Sequence, residues 1–134
     1  MTDRELMELA VEARKRAYAP YSGFRVGAAL LSKSGKTYTG CNIENAAYTP
    51  TNCAERTAVF KAVSEGERDF AAIAIVGGKG DEPNEFCAPC GVCRQVLAEF
   101  CDGNLRLLLG APENIRAYTL AELLPCSFGK SDLH

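Results

Sequence analysis

Hydrophobic positions along this chain switch between a helical and a strand-like period, and the switches divide it into short elements. Leu6, Leu9, Ala10, Ala13 and Ala17 fall on one helical stripe. The capping box Thr2-x-x-Glu5 opens that stripe and Pro20 stops it, which predicts a helix over 2–17. Tyr21-Ser22-Gly23 is a turn. Phe24 to Leu31 then reads as a strand, Ser32 to Gly35 as a hairpin loop and Lys36 to Ile43 as the returning strand. Pro50 excludes helix immediately before it, so Asn45 to Asn52 is irregular. Thr51 or Asn52 can cap a helix from about Cys53 to Glu65, closed by Gly66. Ala71 to Val76 suits a buried strand, and Gly80 to Glu85 is a polar loop. A second helix starts near Pro89 and continues to Phe100 through Val92, Val96 and Leu97. Leu105 to Leu109 is another buried strand and Ile115 to Tyr118 a short final one. Thr119-x-x-Glu122 caps a last short helix before Pro125.

The order α-β-β-α-β-α-β-β-α, free of repeats and low-complexity linkers, predicts an α/β fold with helices packed on a mixed sheet. At 134 residues the chain fits one domain, 1–134, with a core that needs no staples.

Charge narrows the partners. Fifteen Lys and Arg against seventeen Asp and Glu give 15 − 17 = −2, without the basic footprint of a nucleic-acid binder. No apolar run approaches the ~18 residues that would cross a membrane. The opening Met-Thr-Asp-Arg-Glu-Leu carries acids and no apolar stretch, so a secretory signal is not expected and the cytoplasm is. In that reducing compartment seven cysteines, at 41, 53, 87, 90, 93, 101 and 126, point to metal or catalysis ahead of disulfides. Cys41, Cys101 and Cys126 also suit the role of small core residues.

Two helix starts carry the candidate chemistry, Cys53-Ala54-Glu55 and Pro89-Cys90-Gly91-Val92-Cys93. A catalytic zinc takes three protein ligands and leaves a fourth position for water. Cys90 and Cys93 on one first turn and Cys53 on another supply three thiolates, and helix N-termini favour anionic sulfur. The lone histidine, His134, stands at the chain end, so an all-cysteine set is the plausible soft-ligand site. Glu55 sits two residues from Cys53, where a general acid/base belongs beside a metal-activated water. A non-ligand Glu followed by P-C-x-x-C is the established pattern of zinc nucleobase deaminases. Zn2+ with three thiolates carries a formal charge of 2 − 3 = −1, so a cation is needed to offset it, and Arg56 is the candidate.

The chain resembles the small homotetrameric zinc-dependent cytidine deaminases over nearly its whole length. The resemblance rests on Asn42-Ile43-Glu44-Asn45-Ala46, Cys53-Ala54-Glu55-Arg56, Pro89-Cys90-Gly91-Val92-Cys93-Arg94-Gln95 and Phe128-Gly129, in family order. It implies a three-layer α/β/α fold with a mixed sheet and hydrolytic deamination of cytidine and 2′-deoxycytidine. It also implies Cys53, Cys90 and Cys93 as zinc ligands and Glu55 as the proton shuttle. Phe24 corresponds to an aromatic near the pyrimidine, Asn42 and Glu44 to a pair on the ribose hydroxyls, and the Ala54 backbone to a contact with the base. Ala46, Tyr48 and Phe128 correspond to residues that reach into a neighbouring subunit's site. The expected partner is a small-molecule nucleoside.

Cys87 and Cys126 depart from the family pattern, and Cys87-x-x-Cys90 overlaps Cys90-x-x-Cys93. The 90/93 pair is favoured because Pro89 starts the helix and leaves Cys87 upstream. Two alternatives remain open: a blasticidin-S-type deaminase acting on another cytosine nucleoside, and a non-catalytic structural zinc domain with Cys87 as fourth ligand. A thioredoxin-like redox module fits poorly, because Cys-x-x-Cys there lacks a Cys-Ala-Glu companion.

Overall fold

The first helix is capped as its sequence predicts. The Thr2 hydroxyl accepts the Glu5 amide at 3.1 Å, and the Glu5 carboxylate accepts the Thr2 amide at 2.8 Å. In the computed structural model, which describes residues 1–83 and 85–133, this helix, α1 (Asp3–Arg14), is shorter than the expected 2–17. His134 lies outside the described residues. The amides of Arg16 and Ala17 bond three residues back, and the chain then leaves the helix so that Tyr18 bridges Ile43. The buried face is Leu6, Met7, Ala10, Ala13 and Arg14, while Leu9 and Ala17 are half-buried.

Five strands follow: β1 (Arg25–Ser32), β2 (Thr37–Cys41), β3 (Phe70–Gly78), β4 (Arg106–Ala111) and β5 (Asn114–Thr119). Their order is β2-β1-β3-β4-β5, antiparallel at every pairing except the parallel β3–β4. The parallel pair requires a crossover, and α3 (Gly91–Phe100) provides it. The remaining helices are α2 (Ala54–Ser64), α4 (Leu120–Leu123) and a 3-10 turn at Lys130–Leu133 that the sequence reading did not anticipate. Among the described residues no helix is long and apolar enough to cross a membrane.

Strand alternation divides the interior in two, because successive side chains point to opposite faces. Ala29, Ala72, Ala74, Val76 and Leu108 pack with Leu6, Met7 and Ala10 of α1. Ala28, Leu30, Ile73, Ile75, Leu107 and Leu109 pack with Ala58, Val59 and Ala62 of α2, Leu97 of α3 and Leu120 of α4. The result is the expected three-layer α/β/α arrangement with a mixed sheet. Of the cysteines assigned to the core, Cys41 and Cys101 are half-buried but Cys126 is exposed. Cys126 lies on an irregular tail at φ 54°, away from the packed faces.

Small residues set how closely helices lie on the sheet. A Cβ on Gly27 would fall 2.0 Å from the Ala10 carbonyl oxygen. A Cβ on Gly40 of β2 would fall 2.6 Å from both the Ala54 oxygen and the Ala58 nitrogen. The second contact seats the N-terminal end of α2, and with it Cys53 and Glu55. Gly40→Ala is therefore expected to lower stability by about 1–3 kcal/mol through overpacking. Gly129→Ala, where an added Cβ meets nothing within 4 Å, should stay within about 0.5 kcal/mol of the parent in the same urea titration.

Candidate active site

The starts of α2 and α3 converge. Cys53 is the N-cap of α2, in place of the expected Thr51 or Asn52, and Cys90 is the N-cap of α3, so Pro89 precedes that helix and does not stand in its first turn. Asn52 instead donates to the Thr57 hydroxyl at 3.0 Å, and the Thr51 hydroxyl accepts the Asn45 amide at 3.1 Å. Neither cysteine makes a side-chain capping bond, which leaves the first-turn amides facing outward with their partial positive charge.

The Cys53 Sγ lies 3.7 Å from that of Cys90, and Cys90 lies 3.5 Å from Cys93. All three ligand atoms fall within 4.8 Å of one another. Tetrahedral zinc with sulfur at its usual bond length requires neighbouring sulfurs about 3.8 Å apart, so the spacing fits. A hydrogen bond from Cys93, with help from the Arg56 guanidinium, holds the Cys53 thiol well below its ordinary value. Cys93, as the partner in that bond and by its burial, is pushed up. Arg56 Nη2 donates to Cys53 Sγ at 3.3 Å, the position expected of the offsetting cation. Cys87 stands apart from this cluster among the described residues. Burial pushes its thiol up to about 12, with the nearby Glu55 charge adding to the effect.

Glu55 is only 4% exposed, and burial raises its carboxyl to about 7. A carboxyl balanced near neutrality beside a thiolate cluster can both take and return a proton at physiological pH. The cavity next to it, about 170 Å³, is lined by Val26, Asn42, Thr51, Ala54, Cys87 and Cys90, among others. That is below the roughly 300 Å³ at which a pocket holds a whole drug-sized ligand. Thr51 also lines a neighbouring concavity formed by Tyr21, Ser22, Glu44, Asn45 and Tyr48.

Asn42 and Glu44 reach this region already engaged. The Asn42 side-chain oxygen accepts the Val26 amide at 2.9 Å, and its nitrogen donates to the Phe24 carbonyl at 2.8 Å. One acceptor site and one donor hydrogen on that amide remain free of these two bonds. Glu44 accepts the amides of Tyr21 at 2.9 Å and Ser22 at 3.2 Å, and also the Ser22 hydroxyl. The Ser22 bond holds its carboxyl below the ordinary value. Ser22, which by sequence is only a place in a turn, is the residue that the structure brings onto the Glu44 carboxylate. Phe24 is half-buried and packs beside Cys87, where a Cβ on Gly77 would meet both side chains at about 3 Å. Ala46, Tyr48 and Phe128 are exposed and line no part of the Glu55 cavity. Tyr48 makes an edge contact with Tyr21 at 6.4 Å, and the Phe128 carbonyl accepts from Gln95 at 2.8 Å. Removing the Asn42 side-chain amide takes away a partner from the Val26 amide in β1 and from the Phe24 carbonyl just ahead of it: Asn42→Ala is expected to cost about 1–3 kcal/mol of stability in urea unfolding, with no ligand present.

Comparison with known proteins agrees with this geometry. Residues 1–108 match the cytidine and deoxycytidylate deaminase zinc-binding region. The cytidine deaminase of Sporosarcina psychrophila is 51% identical over 134 residues, 99% of this chain and 96% of that one. The crystal structure of cytidine deaminase from Burkholderia pseudomallei, 48% identical, superposes with a TM-score of 0.87 over 96% of this chain and all of that one. A blasticidin-S deaminase of Bacillus cereus is more distant, at 29% identity over 133 residues. The cofactor is zinc, for which the Cys53, Cys90 and Cys93 group is positioned. By its helix starts, its buried glutamate and its likeness to these proteins over nearly the full chain, this protein belongs to the cytidine deaminase family.

Proposed function

We propose that this chain hydrolyses cytidine and 2′-deoxycytidine to uridine and 2′-deoxyuridine, releasing ammonia. The observation that carries the reading is a buried carboxyl, Glu55, at the wall of a small cavity beside three clustered thiols. Cys53, Cys90 and Cys93 hold the zinc, which supplies a Lewis acid and a nucleophile drawn from water at neutral pH. Glu55 takes a proton from the attacking water and gives it to N3 of the pyrimidine, so that C4 accepts the oxygen. A second proton passes through the same carboxylate to the departing amino group, which leaves as ammonia, and the overall exchange is water for ammonia. Arg56, donating to Cys53, offsets the excess negative charge of the three sulfurs.

Substrate placement follows the two joined concavities. The base sits at the Glu55 end, against the Ala54 backbone and the Phe24 ring. Asn42 and Glu44 take the ribose hydroxyls, so binding energy remote from C4 orients the reacting carbon. The side chains left outside this cavity, at Ala46, Tyr48 and Phe128, complete the site of a neighbouring copy in a homotetramer. Support for that assembly is the exposure of Tyr48, at 74%, and Phe128, at 60%, together with the small volume one chain encloses. The reaction serves pyrimidine salvage in the cytoplasm.

The decisive assay follows the ultraviolet absorbance change of cytidine. Glu55→Gln is expected to keep its fold and zinc while turnover falls by about 10²–10⁴-fold. Full activity in that variant, or no absorbance change with zinc-replete parent protein, would overturn the reading. Cys87→Ser, assayed by elemental analysis, is expected to retain one zinc per chain; loss of the metal would favour a closed structural site instead. A one-chain mass in sedimentation would remove the roles of Ala46, Tyr48 and Phe128 in a neighbour's site.

A further inference from the structure

The zinc site draws its ligands from the ends of two long connections of equal length, 42–53 before α2 and 79–90 before α3, and each needs its own means of holding a sulfur in place. Cys53 starts a helix seated directly on the sheet at Gly40. Cys90 ends a connection of twelve residues, 79–90, between β3 and α3. Connections between a strand and the next helix usually run 2–6 residues, so this one needs fastening to hold a sulfur in place. Its first turn is fastened by an unexpected group. Arg14 of α1 is 2% exposed, and among the described residues no carboxylate lies within salt-bridge reach of it. Its Nε donates to the Arg25 carbonyl and its Nη1 to the Asp81 carbonyl, both at 3.1 Å, while Nη2 donates to the carbonyls of Gly78 at 2.7 Å and Gly80 at 2.5 Å. A buried cation outside any close ion pair is costly, and four carbonyls meeting one guanidinium, with the Asp81 and Glu82 charges nearby, make it tolerable.

From that turn the order is handed along the connection. The Glu85 amide returns to the Gly77 carbonyl at 3.3 Å, closing the loop at its base. Phe86 lies under the Arg116 guanidinium at 4.0 Å, and Cys87 packs on the Gly77 backbone. The Pro89 carbonyl accepts from Arg94 at 2.8 Å, and Cys90 follows at once. We propose that Arg14 is a positioning residue for the metal site: by holding the carbonyls of Gly78, Gly80 and Asp81 it fixes the base of the β3–α3 connection and so the place of Cys90 relative to Cys53. This rests on the reading of Cys53, Cys90 and Cys93 as the zinc ligands.

The test is zinc release from the purified holoprotein to an excess of chromophoric chelator, well below the unfolding temperature. Parent, Arg14→Met, Arg14→Lys and Met7→Ala proteins are compared. Met7 is fully buried on the same helix, so its truncation destabilises the α1 layer without removing a donor to the connection. Arg14→Met is expected to release zinc about tenfold faster or more, the scale on which groups behind a ligand act. Arg14→Lys, able to serve only some of the carbonyls, should fall between it and the parent, and Met7→Ala should release at the parent rate. Hydrogen exchange supplies the second readout: protection of the Glu85 amide should drop in both Arg14 variants while that of the α2 amides persists. Parent-like release in both Arg14 variants, or release from Met7→Ala as fast as from Arg14→Met, would overturn the proposal. If Arg14→Met fails to fold, Arg14→Lys against Met7→Ala decides by the same criteria. A parent protein that binds no zinc would instead overturn the ligand assignment itself.

Discussion

Three cysteine sulfurs within 4.8 Å of one another repel as thiolates, and the surrounding structure answers that repulsion. Two helix starts direct their amide ends toward the cluster, and Arg56 donates to Cys53. The helices can meet only because the sheet between the layers lets them. Gly40 admits α2 against β2, and the parallel β3–β4 pairing forces the crossover that delivers α3 beside it. Glu55 then acquires its character from position alone. In the first turn of α2 it is too buried to be comfortably ionised, and the nearby Cys53 charge adds to that effect.

The parts of this arrangement that were legible in the sequence are those governed by short-range rules. The capping boxes at Thr2 and Thr119, the continuous apolar runs of β3 and β4 and the spacing of Cys90 and Cys93 all act within a few residues. What escaped was set by contacts far apart in the chain. Helix α1 ends early because Tyr18 bonds Asn42 and Glu44. Arg14 reads as one more charged residue near a helix end, and only carbonyls more than sixty positions away show why it is buried. Ser22 belongs to a turn by sequence and to Glu44 by structure. The α2 N-cap differs from the expected one for a related reason: Thr51 and Asn52 have the better capping chemistry, but both are used by Asn45 and Thr57.

Asn42 shows how closely scaffold and site are joined. Its amide holds the Val26 backbone in β1 at one end and the Phe24 carbonyl just ahead of β1 at the other, which restricts the rotamer with which its remaining donor and acceptor face the cavity. Glu44 is treated similarly, its carboxylate taken by the Tyr21–Ser22 turn. A polar group anchored in this way loses little further entropy when it meets a ligand, so more of each new hydrogen bond is available for orientation.

The same reasoning separates Cys87 from its neighbours. It shares the cavity with Glu55 and Cys90, yet its thiol lies against Gly77 and the Phe24 ring and is pushed up to about 12 by burial. In that environment it behaves as a small apolar wall, whereas Cys53, with donors from Cys93 and Arg56, is held well below its ordinary value. Cysteines that line one cavity thus differ in chemistry because of what surrounds each sulfur.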